Sequence, residues 1–492
     1  MRQVVVLHGW SDDSESFEPL IGFLKRNGYD VTRLFLGDYI SLRDEVRIED
    51  VARRMEEVVR EKMAKPVSAR DRLNGTFDLI VHSTGGLLAR RWISEYYKTG
   101  SCPVRNLLML APANFGSALA HKGRSLVGRL FKGSLKNGFQ VGEEMLYALE
   151  LGSAFQWDLA QDDLFVPEGS ARASAFYGPD AVRPFVISGT HPYKGFGRDL
   201  VNENGSDGTV RVAAANMNAY GLTVDFTTSL TSPEVRPWAR RGGNQLRFPL
   251  AVLPDRDHGN VVDPDASGHS KDPAYQAQLA NLIVDALSTN TAAQYQAKVA
   301  DWEAVCMDTR TYAGSSDEAE AHRKEIFGRR TPEAERFHEH YQLVVRAEDQ
   351  FSLPISDFFV EFFPKPKKLH RFTQIRKASH FFHSEVLEDT HKHQRDSAHR
   401  CFFVDRFDLM RDGGFYSLIP EGSPIGLALS ATATDPGPRV SYFAHGVPSK
   451  RGVLNLHGTK KSDRWLRRHC THFIKMVVPR VGTDELFELR RA

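Results

Sequence analysis

The chain has 492 residues, of which 41% are hydrophobic and 26% charged, with a formal net charge of +2. That is the composition of an ordinary globular protein long enough for two cores, and it holds no run of about 18 apolar residues that would span a bilayer. The near-neutral balance and the lack of a recognition motif give nucleic-acid binding little support. Cys102, Cys306, Cys401 and Cys470 are scattered rather than spaced as a disulfide framework. The first strand candidate begins at Gln3 and leaves no room for a cleaved leader, so the expectation is a cytoplasmic protein, or one exported without a cleaved signal peptide.

Residues 1 to about 290 alternate strands with helices. The strand candidates are Gln3–Leu7, Asp30–Leu36, Phe77–His82, Val104–Leu110, Pro184–Gly189 and Leu246–Leu253. Ile48, Val51, Met55, Val58 and Val59 recur at helical spacing, as do Leu279, Leu282, Ile283 and Leu287. This pattern predicts a mostly parallel sheet covered on both faces. An insertion at about 115–180 has the size and place of a lid. In it Lys122, Arg124, Arg129, Lys132 and Lys136 alternate with Leu119, Leu126, Val127, Leu130 and Phe131. Such a segment suits either peripheral contact with an anionic membrane or a helix packed on the core with its lysines in water.

Residues 291–340 are polar and helix-favouring, with an acidic run at 315–320, and read as a helical connector. From 341 to 492 short β-favouring runs (Tyr341–Val345, Phe358–Phe363, His380–Val386, Cys401–Leu409, Ile425–Leu429, Arg439–Phe443 and Phe473–Val478) are punctuated by Gly, Pro and Asp. They predict a β-sandwich-like accessory domain. Phe358, Phe359, Phe362 and Phe363 before a basic stretch read as a core strand and a solvated turn, with lipid or partner contact as the alternative. His370, His380, His383, His391, His393, His399, Cys401, Cys470 and His472 show no paired ligand spacing, so no metal is expected.

Four segments carry chemistry. Ser83 sits between the strand Phe77–His82 and a helix opened by Gly85 and Gly86, a turn that exposes a nucleophilic hydroxyl above a parallel sheet. After the first strand, His8-Gly9-Trp10 brings a small residue close to that turn, so the backbone N–H groups of Trp10 and Thr84 are candidates for an oxyanion hole. Asn204–Val210 is a turn-rich loop presenting Asp207. The strand Leu246–Leu253 runs into Asp255-Arg256-Asp257-His258, placing His258 on a loop at a strand's C-terminal side.

In these segments the chain resembles the α/β-hydrolases, in their lipase and serine-esterase branch, over residues 1 to about 290. The resemblance implies Ser83 as nucleophile, His258 as general base and later acid, Asp207 as orienting carboxylate, and Trp10 and Thr84 as oxyanion donors. It implies no cofactor, and a lipid or other ester as substrate. Val81 departs from the glycine usual at that position, which implies a local adjustment. A serine hydroxyl attacks only when a base takes its proton; an imidazole with an ordinary pKa of about 6.5 does so near neutrality, held by a carboxylate. Asp255 and Asp257 lie too near His258 in sequence to reach its far nitrogen easily, so Asp207 is favoured as the acid. His191 precedes the acid, too early for the base in the family's order, and reads as structural, while His8 and His82 read as shaping the turn. The expected activity is lipid ester hydrolysis, of lipase or phospholipase type. A carboxylesterase for small soluble esters, an acyltransferase and a binding or scaffold protein on an inactive hydrolase fold stay open.

Overall fold

The structure, a computed structural model, describes residues 2–7, 17–34, 45–64, 72–98, 101–121, 142–170, 173–193, 202–229, 233–270, 272–315, 337–364, 371–410, 414–419, 425–431, 440–442 and 465–482. The chain divides into two compact units, the first formed by 1–218 and 239–338, the second by 219–238 and 339–492.

The first unit alternates as its sequence predicts: β1 (Arg2–Leu7), α1 (Glu18–Arg26), β2 (Tyr29–Leu34), α2 (Ile48–Ala64), β3 (Phe77–His82), α3 (Gly85–Tyr96) and β4 (Val104–Leu110). There follow α4 (Glu143–Leu149), α5 (Ala154–Asp163), β5 (Arg183–Gly189) and α6 (Val212–Ala215). After two strands that belong to the second unit come β8 (Leu250–Leu253), α7 (Pro273–Ser288) and α8 (Ala292–Ser315). The six strands form one parallel sheet in the order β2-β1-β3-β4-β5-β8. Parallel strands need both faces covered, and their near-continuous apolar runs supply the material. Val4, Val6, Ile80, Leu108, Phe185 and Leu253 pack with Leu20 and Leu24 of α1 and Leu279 and Ile283 of α7. Their alternates Val5, Leu7, Leu79, Val81, Leu107 and Met109 face the other way and are equally buried. The helices α2 and α3 are tied to each other by Glu56, which accepts from Trp92 Nε1 at 2.7 Å and Tyr97 Oη at 2.8 Å.

One element departs from the sequence expectation. The helix α8 is more than a connector. Tyr295 and Trp302 bury their rings in the core of the first unit, and Tyr295 donates to the Pro184 carbonyl at 2.9 Å. Aromatic residues two turns apart on an otherwise polar helix give it a docking stripe. In the insertion, α5 is held down by a buried ion pair. Arg90 of α3 meets Asp163 through two bonds of 2.8 and 3.0 Å, and Tyr177 also donates to Asp163. The basic segment from Lys122 to Lys136 lies outside the described residues, as do 316–320 of the acidic run.

The second unit is β-rich. Its elements are β6 (Ala219–Asp225), β7 (Glu234–Pro237), β9 (His340–Asp349), β10 (Phe358–Pro364), α9 (Phe372–Phe381), β11 (Leu387–Lys392), β12 (His399–Asp405), α10 (Arg406–Met410), α11 (Phe415–Leu418), β13 (Ile425–Ala431), β14 (Val440–Tyr442), β15 (Cys470–Val478) and β16 (Arg480–Gly482). Six strands form a mixed sheet in the order β11-β12-β9-β15-β6-β7, with β15 parallel to both β9 and β6. The strands β10 and β13 make a separate antiparallel pair. The mixed pairing departs from an all-antiparallel sandwich because β6 and β7 come from within the hydrolase-like region and supply one side of the sheet. The run His380–Val386, expected as a strand, is helical. Ala378, Phe382 and Val386 are all buried at intervals of one helical turn, and the period-four stripe overrides the β propensity of its aromatics. In β10, Phe358, Val360 and Phe362 turn inward while Phe359 is exposed, the alternation of a half-buried strand. No helix among the described residues is long and apolar enough to cross a membrane.

Candidate active site

Ser83 occupies the turn from β3 to α3 with φ of +53°, a left-handed conformation that costs a non-glycine residue energy unless its surroundings enforce it. They do. The Ser83 N–H donates to the Leu110 carbonyl at 3.1 Å, and its own carbonyl accepts from Gly86 and Ala113, each at 3.1 Å. The end of β4 and the segment after it therefore clamp the turn. A Cβ at Gly86 would stand 2.7 Å from the Pro112 side chain, so the helix can approach that segment only with glycine there. Val81 remains in register in β3, opposite Leu7 and Met109 and fully buried. The close approach falls at Gly86, which is why valine is accommodated at 81.

Asp207 lies on the loop before α6. Its Oδ1 accepts the backbone N–H groups of Thr209 at 3.0 Å and Val210 at 2.8 Å, an Asx turn that fixes the carboxylate. Gly208 makes that turn possible, with φ of +94° and the Tyr193 ring where a side chain would be. The other oxygen, Oδ2, is 2.9 Å from His258 Nδ1, and the His258 N–H donates to the Asp207 carbonyl at 2.9 Å. His258 Nε2 is 3.0 Å from Ser83 Oγ. With the ring proton on Nδ1 and directed at Asp207, Nε2 is the acceptor for the serine hydroxyl. All three side chains are buried.

The sequence-predicted residues thus divide cleanly. Ser83, Asp207 and His258 come together from three separate loops. Thr84 follows the serine at the start of α3, buried, its carbonyl accepting from Leu88 at 3.2 Å. Trp10 lies outside the described residues, as does His8. The competing residues are engaged elsewhere. Asp257 binds His269 at 2.7 Å, Asp255 lies beside Arg256 at 3.5 Å with its carboxyl pushed up by burial, and His191 stacks on His269 with centroids 3.7 Å apart. His82 does more than shape the turn. Its Nε2 donates to the His258 carbonyl at 3.0 Å and its ring lies 4.7 Å from the His258 ring, so the strand carrying the nucleophile also props the histidine loop.

Sequence reading passed over Arg90. It is fully buried, donates to the Asn114 carbonyl at 2.8 Å besides Asp163, and stands over the Phe115 ring. The available signal was a charged residue within the apolar run of α3.

No protein-family model and no curated protein matches the sequence. Solved structures do match. Phospholipase PlaB from Legionella pneumophila aligns with a TM-score of 0.73 at 22% identity, covering 100% of this chain and 96% of that one. The same phospholipase in complex with thio-NAD gives a TM-score of 0.72 over the same shares. The chain has the α/β-hydrolase fold. The mature lipase BlEst2 from Bacillus licheniformis overlaps 56% of the chain at 15% identity and a TM-score of 0.33. Within this hydrolase fold β1 lies inside the sheet, between β2 and β3. Ser83 follows β3, and His258 follows β8, the last strand of the sheet.

Proposed function

We propose that this chain is a serine hydrolase that cleaves carboxylic esters of lipids through an acyl-enzyme on Ser83. The observation that carries the reading is the unbroken relay from Ser83 Oγ through His258 to Asp207, at 3.0 and 2.9 Å. Ser83 Oγ attacks the ester carbonyl while His258 Nε2 takes its proton; Asp207 keeps the ring oriented and balances the imidazolium. Negative charge gathers on the carbonyl oxygen, where the N–H groups of Thr84 and Trp10 would receive it. Collapse of the tetrahedral intermediate breaks the bond to the alcohol, which leaves with the proton from His258. A water activated by the same histidine then releases the acid and restores the serine. The lipid part of the reading is supported by the whole-chain likeness to a phospholipase.

The test is fluorophosphonate labelling of the full chain, with hydrolysis of a p-nitrophenyl ester and of phospholipid vesicles measured in parallel. Labelling at Ser83, its loss in Ser83→Ala and turnover of vesicles are the expected results. Equal ester hydrolysis by wild type and Ser83→Ala would overturn the mechanism. Turnover of short soluble esters alone would replace the lipid substrate by a small one.

A further inference from the structure

The second unit buries another cluster of histidine and carboxylates, assembled by strand register. His340 opens β9 and Asp405 closes β12, and the two are direct partners across the antiparallel ladder, so their side chains rise from one face of the sheet. Glu388 comes from the adjoining strand β11, at the point where its pairing with β12 shifts between Leu387 and Asp389. An irregularity of this kind re-aims a side chain out of the normal alternation. Glu388 Oε2 stands 2.9 Å from His340 Nε2, and one donor atom from each of His340, Glu388 and Asp405 lies within 4.8 Å of the others. The Asp408 carboxylate, fully buried in the turn after Asp405, adds a third negative group.

These groups are largely withdrawn from water. The side chains of His340 and Glu388 are 1% and 9% exposed, and Asp405 is fully buried. Asp405 lies next to His340 and Glu388, with Asp408 following it in the turn. Asp405 Oδ1 is occupied by the backbone N–H groups of Phe407 at 2.7 Å and Asp408 at 3.1 Å. The next residue, Arg406, reaches Glu339 at 2.6 Å, and Glu339 also meets Arg468 at 3.4 Å. The imidazole at the centre is incompletely used. His340 Nδ1 is buried and has no hydrogen-bond partner among the described residues. A neutral ring has one donor and one acceptor nitrogen, and the contact with Glu388 accounts for one of them.

We propose that His340, Glu388 and Asp405, with Asp408 beside them, bind one divalent transition-metal cation. One imidazole with carboxylates is a donor set suited to manganese or zinc. Neighbouring ligands of an octahedral ion with bonds of about 2.1 Å sit about 3 Å apart, which is the spacing of His340 and Glu388. The ion turns mutual repulsion of buried carboxylates into attraction and pins β11, β12 and β9 together at one end of the sheet. None of the three ligands belongs to the histidine and cysteine set considered from sequence. Those residues are used otherwise: His383 bonds the Phe362 carbonyl, His399 meets Asp396, and His472 accepts the Arg467 N–H.

The experiment takes the full chain purified without chelator, measures bound metals by mass spectrometry, then strips it with EDTA and titrates it separately with Mn²⁺ and Zn²⁺. About one equivalent of one ion per chain is expected. Its return should raise the melting temperature, and His340→Gln and Glu388→Gln should each weaken binding roughly tenfold or more. Circular dichroism and cooperative thermal unfolding of each full-length variant report that both units have folded. Binding of neither ion by wild type, or equal binding by folded variants, overturns the site. Should both variants fail to fold, nitrogen coupling in the electron spin echo spectrum of the Mn²⁺ or Cu²⁺ wild-type protein decides: its presence supports His340 as ligand, and its absence overturns it.

Discussion

Each unit buries a histidine against a carboxylate, and the two pairs are arranged for different work. At Asp207, one carboxylate receives three donors: two backbone N–H groups on Oδ1 and the His258 ring on Oδ2. At Asp405, two carboxylates, its own and that of Glu388, share the His340 imidazole. Balance of donors against acceptors gives a fixed orientation and a proton relay, whereas surplus negative charge gives a seat for a cation. The identity of the residues is the same; the count of neighbours decides.

The largest effect that would break this comparison lies at the balanced pair. Ser83→Ala or His258→Ala should lower ester turnover by several orders of magnitude, about 10⁴-fold or more, with metal content unchanged. Asp207→Asn should cost about 10³- to 10⁴-fold, because an amide donating to Nδ1 leaves the proton on Nε2, where the serine needs an acceptor. Steady-state kinetics on a p-nitrophenyl ester measure all three.

The comparison extends to a second balanced network. Arg90 and Asp163 share two hydrogen bonds with both side chains fully buried. Arg90→Ala strands the Asp163 carboxylate and should destabilise the first unit by about 3–5 kcal/mol in urea unfolding. Next in size is a steric effect. Gly86→Ala places a methyl group 2.7 Å from Pro112 and should cost about 1–3 kcal/mol, with a fall in the rate of Ser83 labelling.

The effect confined to acid conditions concerns pH in the second unit. His472 is fully buried, accepts the Arg467 N–H at 2.9 Å, and its pKa is lowered by burial to about 3. The unfolded chain takes up that proton near pH 6.5, before the folded one does. This contribution to stability is therefore complete above about pH 6.5 and declines toward pH 3, at most about 1.4 kcal/mol per pH unit. Asp396, held near 2 by its bond to His399, adds a similar loss only below about pH 4. Melting curves between pH 4 and 7 should show the His472 slope, and His472→Gln should flatten it.

The catalytic half was legible because its signals are local. A strand, a serine and two glycines announce a strained turn, and an apolar strand running into a histidine announces the other end of the relay. What stayed hidden depends on pairing between distant segments. His340, Glu388 and Asp405 are unremarkable in sequence and meet only through the register of three strands and one shift in it. Trp302 and Tyr295 looked like part of a connector because their partners lie on the sheet of the first unit. The helical run through Phe382 shows the opposite failure: its aromatics favour a strand, and its buried period of four decides for helix.

The excursion of residues 219–238 has a consequence for how the chain matures. It lies in sequence between Asp207 and His258, yet β6 hydrogen-bonds β15, which ends at Val478. During synthesis the nucleophile, acid and base all leave the ribosome while β6 still lacks its parallel neighbour. A strand kept waiting exposes unpaired backbone and apolar Leu222 and Val224. Any early stop before Cys470 would leave those groups uncovered, so shortened products should be the ones that chaperones retain and proteases remove.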